Sequence, residues 1–338
     1  MSTIKLTDCD VHDAHGSMEE VNQYGAVRLS VEGKKDPRTG KLLRPWHFED
    51  VPGFFKQSNP NTDDSTFDLI GERFGLELKS WQEVIYKVNE LNKNAKANEQ
   101  YKLVFCGRHG QGNHNAAVSI FGLKEWDEKW ACTTGTTLAD GTRMVWGPDP
   151  KLTDLGRQQV SEIHEALLKE LKQGLPLPTK FYSSPFTRAA STLVITWKGI
   201  SVCRDGDDES QLVSKKRYHP LVMENLRETI GKHLCDKRGT KSDFIKNLRV
   251  WGFKFEPGFP EEDVLFKDDW RESVLEQCLR ADLALQEIFE DPPKDEVIYT
   301  ASHGGEIRSF ITAIGHRPFS IPTAGFIPLL IKGTRTQN

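Results

Sequence analysis

Leu103-Val104-Phe105-Cys106-Gly107-Arg108-His109-Gly110-Gln111-Gly112-Asn113-His114-Asn115 decides how the rest of the chain is read. The apolar run 103–106 has the length of a short buried strand, and the glycines at 107, 110 and 112 stop it from continuing. Ala116-Ala117-Val118-Ser119-Ile120-Phe121 then opens a helix. A guanidinium and an imidazole thus fall side by side where a strand ends and a helix begins. Open α/β sheets place ligands there, because backbone N–H groups and the positive helix end face an anion. Arg-His-Gly alone is a weak signal, and a lone histidine is more often structural, so the reading depends on what recurs elsewhere.

The arrangement recurs twice. Phe181-Tyr182-Ser183 reads as a strand that runs into Ser184-Pro185-Phe186-Thr187-Arg188. Pro185 suits a helix start there, and Arg188 falls in the first turn. Val297-Ile298-Tyr299-Thr300-Ala301 is the clearest buried strand and ends in Ser302-His303-Gly304-Gly305. Ile307, Phe310, Ile311 and Ile314 follow at helical spacing. In a parallel sheet the three strand ends share one rim. Their convergence places two arginines, two histidines and helix N-termini around one small volume. Such a volume suits a tetrahedral dianion, since arginine pairs with phosphate oxygens in bidentate fashion and stays charged.

The intervening segments supply an α/β frame: a three-layer sandwich with a mostly parallel central sheet flanked by helices. Ser80-Trp81-Gln82-Glu83 is a capping box, and Trp81, Val84, Ile85, Val88 and Leu91 give residues 81–94 one apolar face. Thr153 can cap a helix whose face carries Val160, Ile163, Leu167, Leu168 and Leu171, stopped by Pro176 and Pro178. Another spans about 273–289 and is ended by Asp291-Pro292-Pro293. The run Phe326–Ile331 contains Pro328, which argues for a sheet edge.

Residues 1–50 read as an N-terminal arm, partly irregular, with a marginal surface hairpin across Arg28–Glu32 and Lys41–Arg44. His12 and His15 lack the further spaced ligands that a metal site needs. The main domain is 51–338, with insertions at 124–150 and 203–217. The first carries Trp126, Trp130 and Trp146, and either walls the pocket or forms a satellite core. The second is a charged loop with a solvated face as its simplest reading.

Among 338 residues, 45 Lys plus Arg against 49 Asp plus Glu give a net charge of −4, so no general polyanion-binding surface is indicated. Neither a basic stripe nor interleaved aromatics point to nucleic acid. The six cysteines are scattered without a Cys-x-x-Cys pair, and no apolar run approaches the length of a membrane span. A cytoplasmic setting, with the nucleus also open, is the expectation.

Arg108-His109-Gly110, Asn115, Leu152-Thr153-x-x-Gly156, Ser183-Ser184-Pro185-x-x-Arg188-Ala189, Leu226-Arg227-Glu228 and Ser302-His303-Gly304-Gly305 together resemble the histidine phosphatase (phosphoglycerate mutase-like) superfamily. Arg-His-Gly-Gln-Gly, Trp-Gly-Pro-Asp at 146–149 and Cys-Asp-Lys-Arg at 235–238 are similar to its fungal phosphomutase-like branch. The likeness covers about residues 50–332. It implies a metal-free, cofactor-free mechanism on a small phosphorylated substrate. His109 would become phosphohistidine, Arg108, Arg188 and His303 would hold the phosphoryl oxygens, and Gln111, Gly112, Asn115 and Gly304 would complete the binding site. Glu228 would be the acid. The family spacing Glu-x-x-x-Gly is one residue longer than Glu228-Thr229-Ile230-Gly231, which leaves Glu224 as the alternative. Gly112 stands where a serine is frequent, giving more room or less polarity near the phosphate.

Glycolytic mutases of this superfamily carry an Arg-Arg pair after the first helix, and none stands between 116 and 150. A phosphatase is therefore expected ahead of a mutase-type phosphotransferase. A non-catalytic phospho-ligand binder is a third reading, disfavoured because His109, both arginines and His303 are all present. Lys232, His233, Lys237, Arg238 and Lys241 follow the acid motif, either as a pocket mouth for additional anionic groups or as a solvated basic surface.

Overall fold

The computed structural model describes residues 2–290 and 296–336. Its strands are β1 (Trp46–Asp50), β2 (Glu99–Arg108), β3 (Gly135–Thr137), β4 (Arg143–Val145), β5 (Lys180–Ser183), β6 (Leu221–Val222), β7 (Lys254–Phe255), β8 (Val297–Ser302) and β9 (Phe326–Arg335). Its helices are α1 (Asp8–His15), α2 (Met18–Ser30), α3 (Trp81–Lys93), α4 (Asn113–Phe121), α5 (Leu123–Glu125), α6 (Asp154–Lys172), α7 (Thr187–Trp197), α8 (Lys241–Leu248), α9 (Val274–Glu290) and α10 (Gly304–Ala313). The 291–293 stop signal lies outside the described residues.

Seven strands form one sheet in the order β1-β9-β2-β8-β5-β6-β7. From β2 through β7 every pairing is parallel, and β9 alone runs against its neighbours. Alternation along β2 feeds two cores. Leu103 and Phe105 pack on one face with Val84 of α3, Ile163 of α6 and Leu193 of α7. Val104 and Cys106 pack on the other with Leu285 of α9 and Phe310 of α10. Each fully buried aliphatic or Phe side chain in these layers contributes roughly 1.5–3 kcal/mol of burial free energy. The fold is the expected mostly parallel α/β sandwich.

Two regions depart from expectation. The N-terminal arm is ordered and helical. Thr7 and Asp10 form a capping box that starts α1, and α2 continues to Ser30, so Arg28–Ser30 is helix rather than strand. What remains of the hairpin is a single bridge, Lys35 to Leu42. β1 then joins the main sheet. Polar helices without strong periodicity gave no sequence signal; they are held by tertiary contacts such as Arg28 to Asp282, 3.2 Å, and Thr3 Oγ1 to Glu162, 2.7 Å. The second departure is β9, which lies inside the sheet. Pro328 is still at a position paired on one side only: β1 reaches only Asp50 opposite Ile331, so Pro328 faces Phe105 of β2 alone. A missing N–H is tolerated there because no strand flanks the other side.

Candidate active site

The strands β2, β8 and β5 are adjacent and parallel, so their C-terminal ends deliver Arg108-His109, His303 and the α7 start to one rim. His109 N–H donates to Ser302 O and Ser184 N–H to Ala301 O, continuing the ladder into the site. The turn after β2 demands glycine. A Cβ on Gly110 would sit 2.4 Å from Gly156 O, and one on Gly156 would sit 2.1 Å from Gln111 O. Only two glycines let the start of α6 close on the loop, which accounts for Gly156 in the Leu-Thr-x-x-Gly segment.

His109 is 1 % exposed. Its Nδ1 lies 2.7 Å from Gly110 O and must donate there, which leaves the lone pair on Nε2. Arg188 Nε–H donates to that lone pair at 3.2 Å. Burial, reinforced by the Arg188 charge, holds the His109 imidazole well below its ordinary pKa and therefore neutral. His303 stands edge-on to it at 5.0 Å between ring centres. The Ser184 hydroxyl, which also accepts the Phe186 N–H, is hydrogen-bonded to His303 Nε2 at 2.7 Å. Arg188 Nη2, Arg108 Nε, His303 Nδ1 and His114 Nδ1 have no hydrogen-bond partner among the described residues. Buried polar groups are rarely left so, and the two guanidinium donors among them suit an oxyanion.

Arg188 is fully buried and held from several sides. Its guanidinium lies over Phe186, donates to Cys235 O at 2.9 Å and has Asp236 at 3.5 Å. Asp149 receives the Thr187 N–H at 2.9 Å and thereby caps α7. Trp146 packs with Trp126, Trp130 and Phe121 in a satellite core that also contains Cys235. The Trp-Gly-Pro-Asp and Cys-Asp-Lys-Arg segments thus both fix Arg188. The 124–150 insertion is both things expected of it, since Trp126 belongs to that core and also lines the pocket.

The chain is 36 % identical over 300 residues to a probable phosphoglycerate mutase of Arthroderma benhamiae, covering 84 % of each chain. It is 37 % identical to phosphomutase-like protein 3 of Candida albicans, covering 82 % of this chain and 78 % of the relative. The chain belongs to the fungal phosphoglycerate mutase-like family. No family model matches it. A solved phosphoglycerate mutase from Bacillus anthracis aligns with 69 % of this chain and 89 % of its own at 17 % identity and a TM-score of 0.39.

In this family member the cavity over the rim has a volume of about 1230 Å³ and is lined by Arg108, His109, Gln111, Asn115 and Glu228 among others. Gln111 Oε1 accepts the Thr153 hydroxyl, and Asn115 Oδ1 accepts the Gly112 N–H, so both amides also brace the loop. Gly304 backs onto the Arg108 guanidinium: a Cβ there would be 3.3 Å from its Nε. Glu228 Oε1 accepts the Thr229 N–H at 2.9 Å and faces the pocket across Gly305. Glu224 is held elsewhere, between Arg227 at 2.8 Å and Arg238 at 3.2 Å. The basic cluster divides likewise. Lys232 and His233 line the pocket, whereas Arg238 is buried against Glu224 and the carbonyls of Pro260, Glu261 and Glu262.

Three contributors escaped sequence reading. His114 brings its ring to 5.3 Å from His109 and is pushed well below its ordinary pKa by burial and Arg188. It was legible only as the neighbour of Asn115. Asp10 pairs with Arg108, and Arg271 pairs with Asp236 at 3.1 Å; neither stands in a motif. Among the described residues one ligand-type cluster occurs, His233, Cys235 and Asp236. Asp236 is already shared by Arg188 and Arg271, and that positive field disfavours a cation. His15 pairs instead with Asp64, 2.8 Å away. Among the described residues no helix is long and apolar enough to cross a membrane.

Proposed function

We propose that the chain is a metal-independent phosphatase that hydrolyses phosphate monoesters through a phosphohistidine on His109. The observation that carries this reading is the geometry of His109, buried with Nδ1 bonded to the Gly110 carbonyl and Nε2 beside Arg188; burial and the Arg188 charge lower its pKa, which favours the neutral form. The Nε2 lone pair attacks phosphorus as the ester P–O bond breaks, and the Glu228 carboxyl protonates the leaving oxygen. Glu228, now a carboxylate, takes a proton from water as the water oxygen attacks phosphorus and the P–N bond breaks. Phosphate leaves, and both groups return to their starting states. Arg108, Arg188 and His303 stabilise the equatorial oxygens in both steps.

The names of the relatives raise a mutase-type transfer. Charge around the outer pocket supports hydrolysis instead. The cavity lining carries five cationic side chains, Lys5, Arg108, Lys232, Arg271 and Arg308, against seven carboxyl groups, Asp8, Asp10, Asp13, Asp127, Asp236, Glu228 and Glu272, so there is no positive excess for the carboxylate end of a sugar acid. The discriminating assay follows labelled phosphoryl from phosphoglycerates, sugar phosphates, nucleotides and inositol phosphates. Hydrolysis predicts inorganic phosphate as the product, independent of added phosphoglycerate and resistant to chelation. Transfer of label to a second phosphoglycerate faster than to water would replace hydrolysis by the mutase reading.

A further inference from the structure

We propose that Asp10, on the N-terminal helix α1, is a positioning residue for the reaction, fixing Arg108 so that one edge of its guanidinium is presented to the phosphoryl group. The proposal rests on the phosphate-ester reading above.

A guanidinium has five N–H donors in a fixed plane, so tying one end orients the rest. Arg108 Nη1 donates to Asp10 Oδ1 and to Ile321 O, the latter at 2.6 Å. Nε has no partner among the described residues, and the plane of the group rests on Gly304 at the start of α10. The anchored end therefore belongs to the protein. The Nε–Nη2 edge remains for a bidentate pair with two phosphoryl oxygens.

Asp10 is built for this task. It is 5 % exposed, and its two oxygens are separately committed: Oδ2 accepts the Thr7 N–H at 2.8 Å, and Oδ1 accepts from Arg108. The Asp10 N–H in turn donates to Thr7 Oγ1, so the capping box that starts α1 also immobilises the carboxylate. The helix is pinned to the main domain at both ends. Thr3 is bonded to Glu162 of α6, His15 to Asp64, and the Asp13 carbonyl accepts from Arg308 of α10 at 2.9 Å. Thr3, Thr7, Asp10 and Asp13 all line the catalytic cavity. The arm is part of the site's wall, ninety-eight residues ahead of the arginine it holds.

The same contact admits the opposite reading, in which Asp10 competes with substrate for Arg108. Steady-state kinetics on p-nitrophenyl phosphate with the full chain separates the two. Positioning predicts that Asp10→Ala lowers kcat about 10²-fold with KM changed less than about threefold, the cost expected when a transition-state contact is displaced by roughly 1 Å. Asp10→Asn, which keeps an acceptor oxygen, should recover most of kcat. In an Arg108→Ala background, Asp10→Ala should cost nothing further, because the carboxylate acts only through that arginine. An unchanged or raised kcat in Asp10→Ala, or an equal loss with and without Arg108, would overturn the proposal. Retention of turnover in His109→Ala would sink the phosphohistidine reading instead, whatever the Asp10 variants do.

Discussion

The inner end of the pocket and its outer wall are built in different ways. The inner end takes His109, Arg188 and His303 from the C-terminal edges of three neighbouring parallel strands, where the backbone itself sets their positions. The outer wall takes Glu228 from a largely irregular segment, 223–238, whose shape depends on buried ion pairs. Arg227 bridges Glu224 and Asp263 at 2.8 and 2.7 Å. Arg280 pairs with Glu272 and Glu306 and donates to the carbonyls of Asn225, Arg227 and Glu228. Under the proposed reading, the scaffold of strands would set where the phosphate sits, and the scaffold of arginines would set where its leaving group is protonated. Perturbing the first should cost chemistry on every substrate. Perturbing the second should cost either leaving-group protonation or stability, depending on which carboxylate is touched.

The largest effect is expected at the inner end. Arg188→Ala should lower kcat about 10²–10³-fold, with kcat/KM falling in parallel, since the arginine tightens on the transition state. An unchanged kcat with only a raised KM would reassign Arg188 to ground-state binding. On the outer wall, Glu228→Gln should lose about 10²-fold on alkyl phosphates and less than about tenfold on p-nitrophenyl phosphate, whose leaving group needs little protonation. Glu224→Gln should behave differently. Loss of its charge weakens the pairs to Arg227 and Arg238 and costs about 2 kcal/mol in urea unfolding, while the folded protein keeps the wild-type ratio between the two substrates. Leaving-group sensitivity in Glu224→Gln and not in Glu228→Gln would reverse the assignment.

This contrast also explains what the sequence could tell. A strand that ends in glycines and restarts as a helix is a local pattern, so Arg108, His109, Arg188 and His303 could be placed on one rim before any coordinates. The same holds for α3, whose capping Ser80 receives the Glu83 N–H at 3.2 Å, and for α6 behind Thr153. Asp10 could not be placed, because its partner is remote in sequence and α1 and α2 have no strong apolar stripe to announce a docked helix. The choice between Glu228 and Glu224 was equally illegible. What favours Glu228 is that Arg227 and Arg238 capture Glu224, and pairing among charged loops has no periodicity to read. Pro328 reflects the same limit, since it marks a stretch of β9 paired on one side only rather than an edge strand.

The smallest expected effect concerns pH. Burial and Arg188 lower the pKa of His109 well below 6.5, and lowering favours the neutral, nucleophilic form. That form should persist as pH falls through 6.5 instead of being lost there. The His109 Cε1–H resonance should therefore keep its neutral-imidazole shift as pH falls through 6.5. A titration centred near 6.5 would mean that the inner end is wetter, and its arginine field weaker, than the geometry indicates.

The central claim is that phosphorus is bonded to His109 Nε2 between the two half-reactions. Rapid quench of the full chain with labelled substrate, followed by peptide mapping, tests it most directly. The account predicts acid-labile, base-stable label on the peptide containing His109, formed and lost at rates compatible with turnover. Label on a serine, aspartate or cysteine, or turnover with inversion at phosphorus and no trapped label, would contradict it.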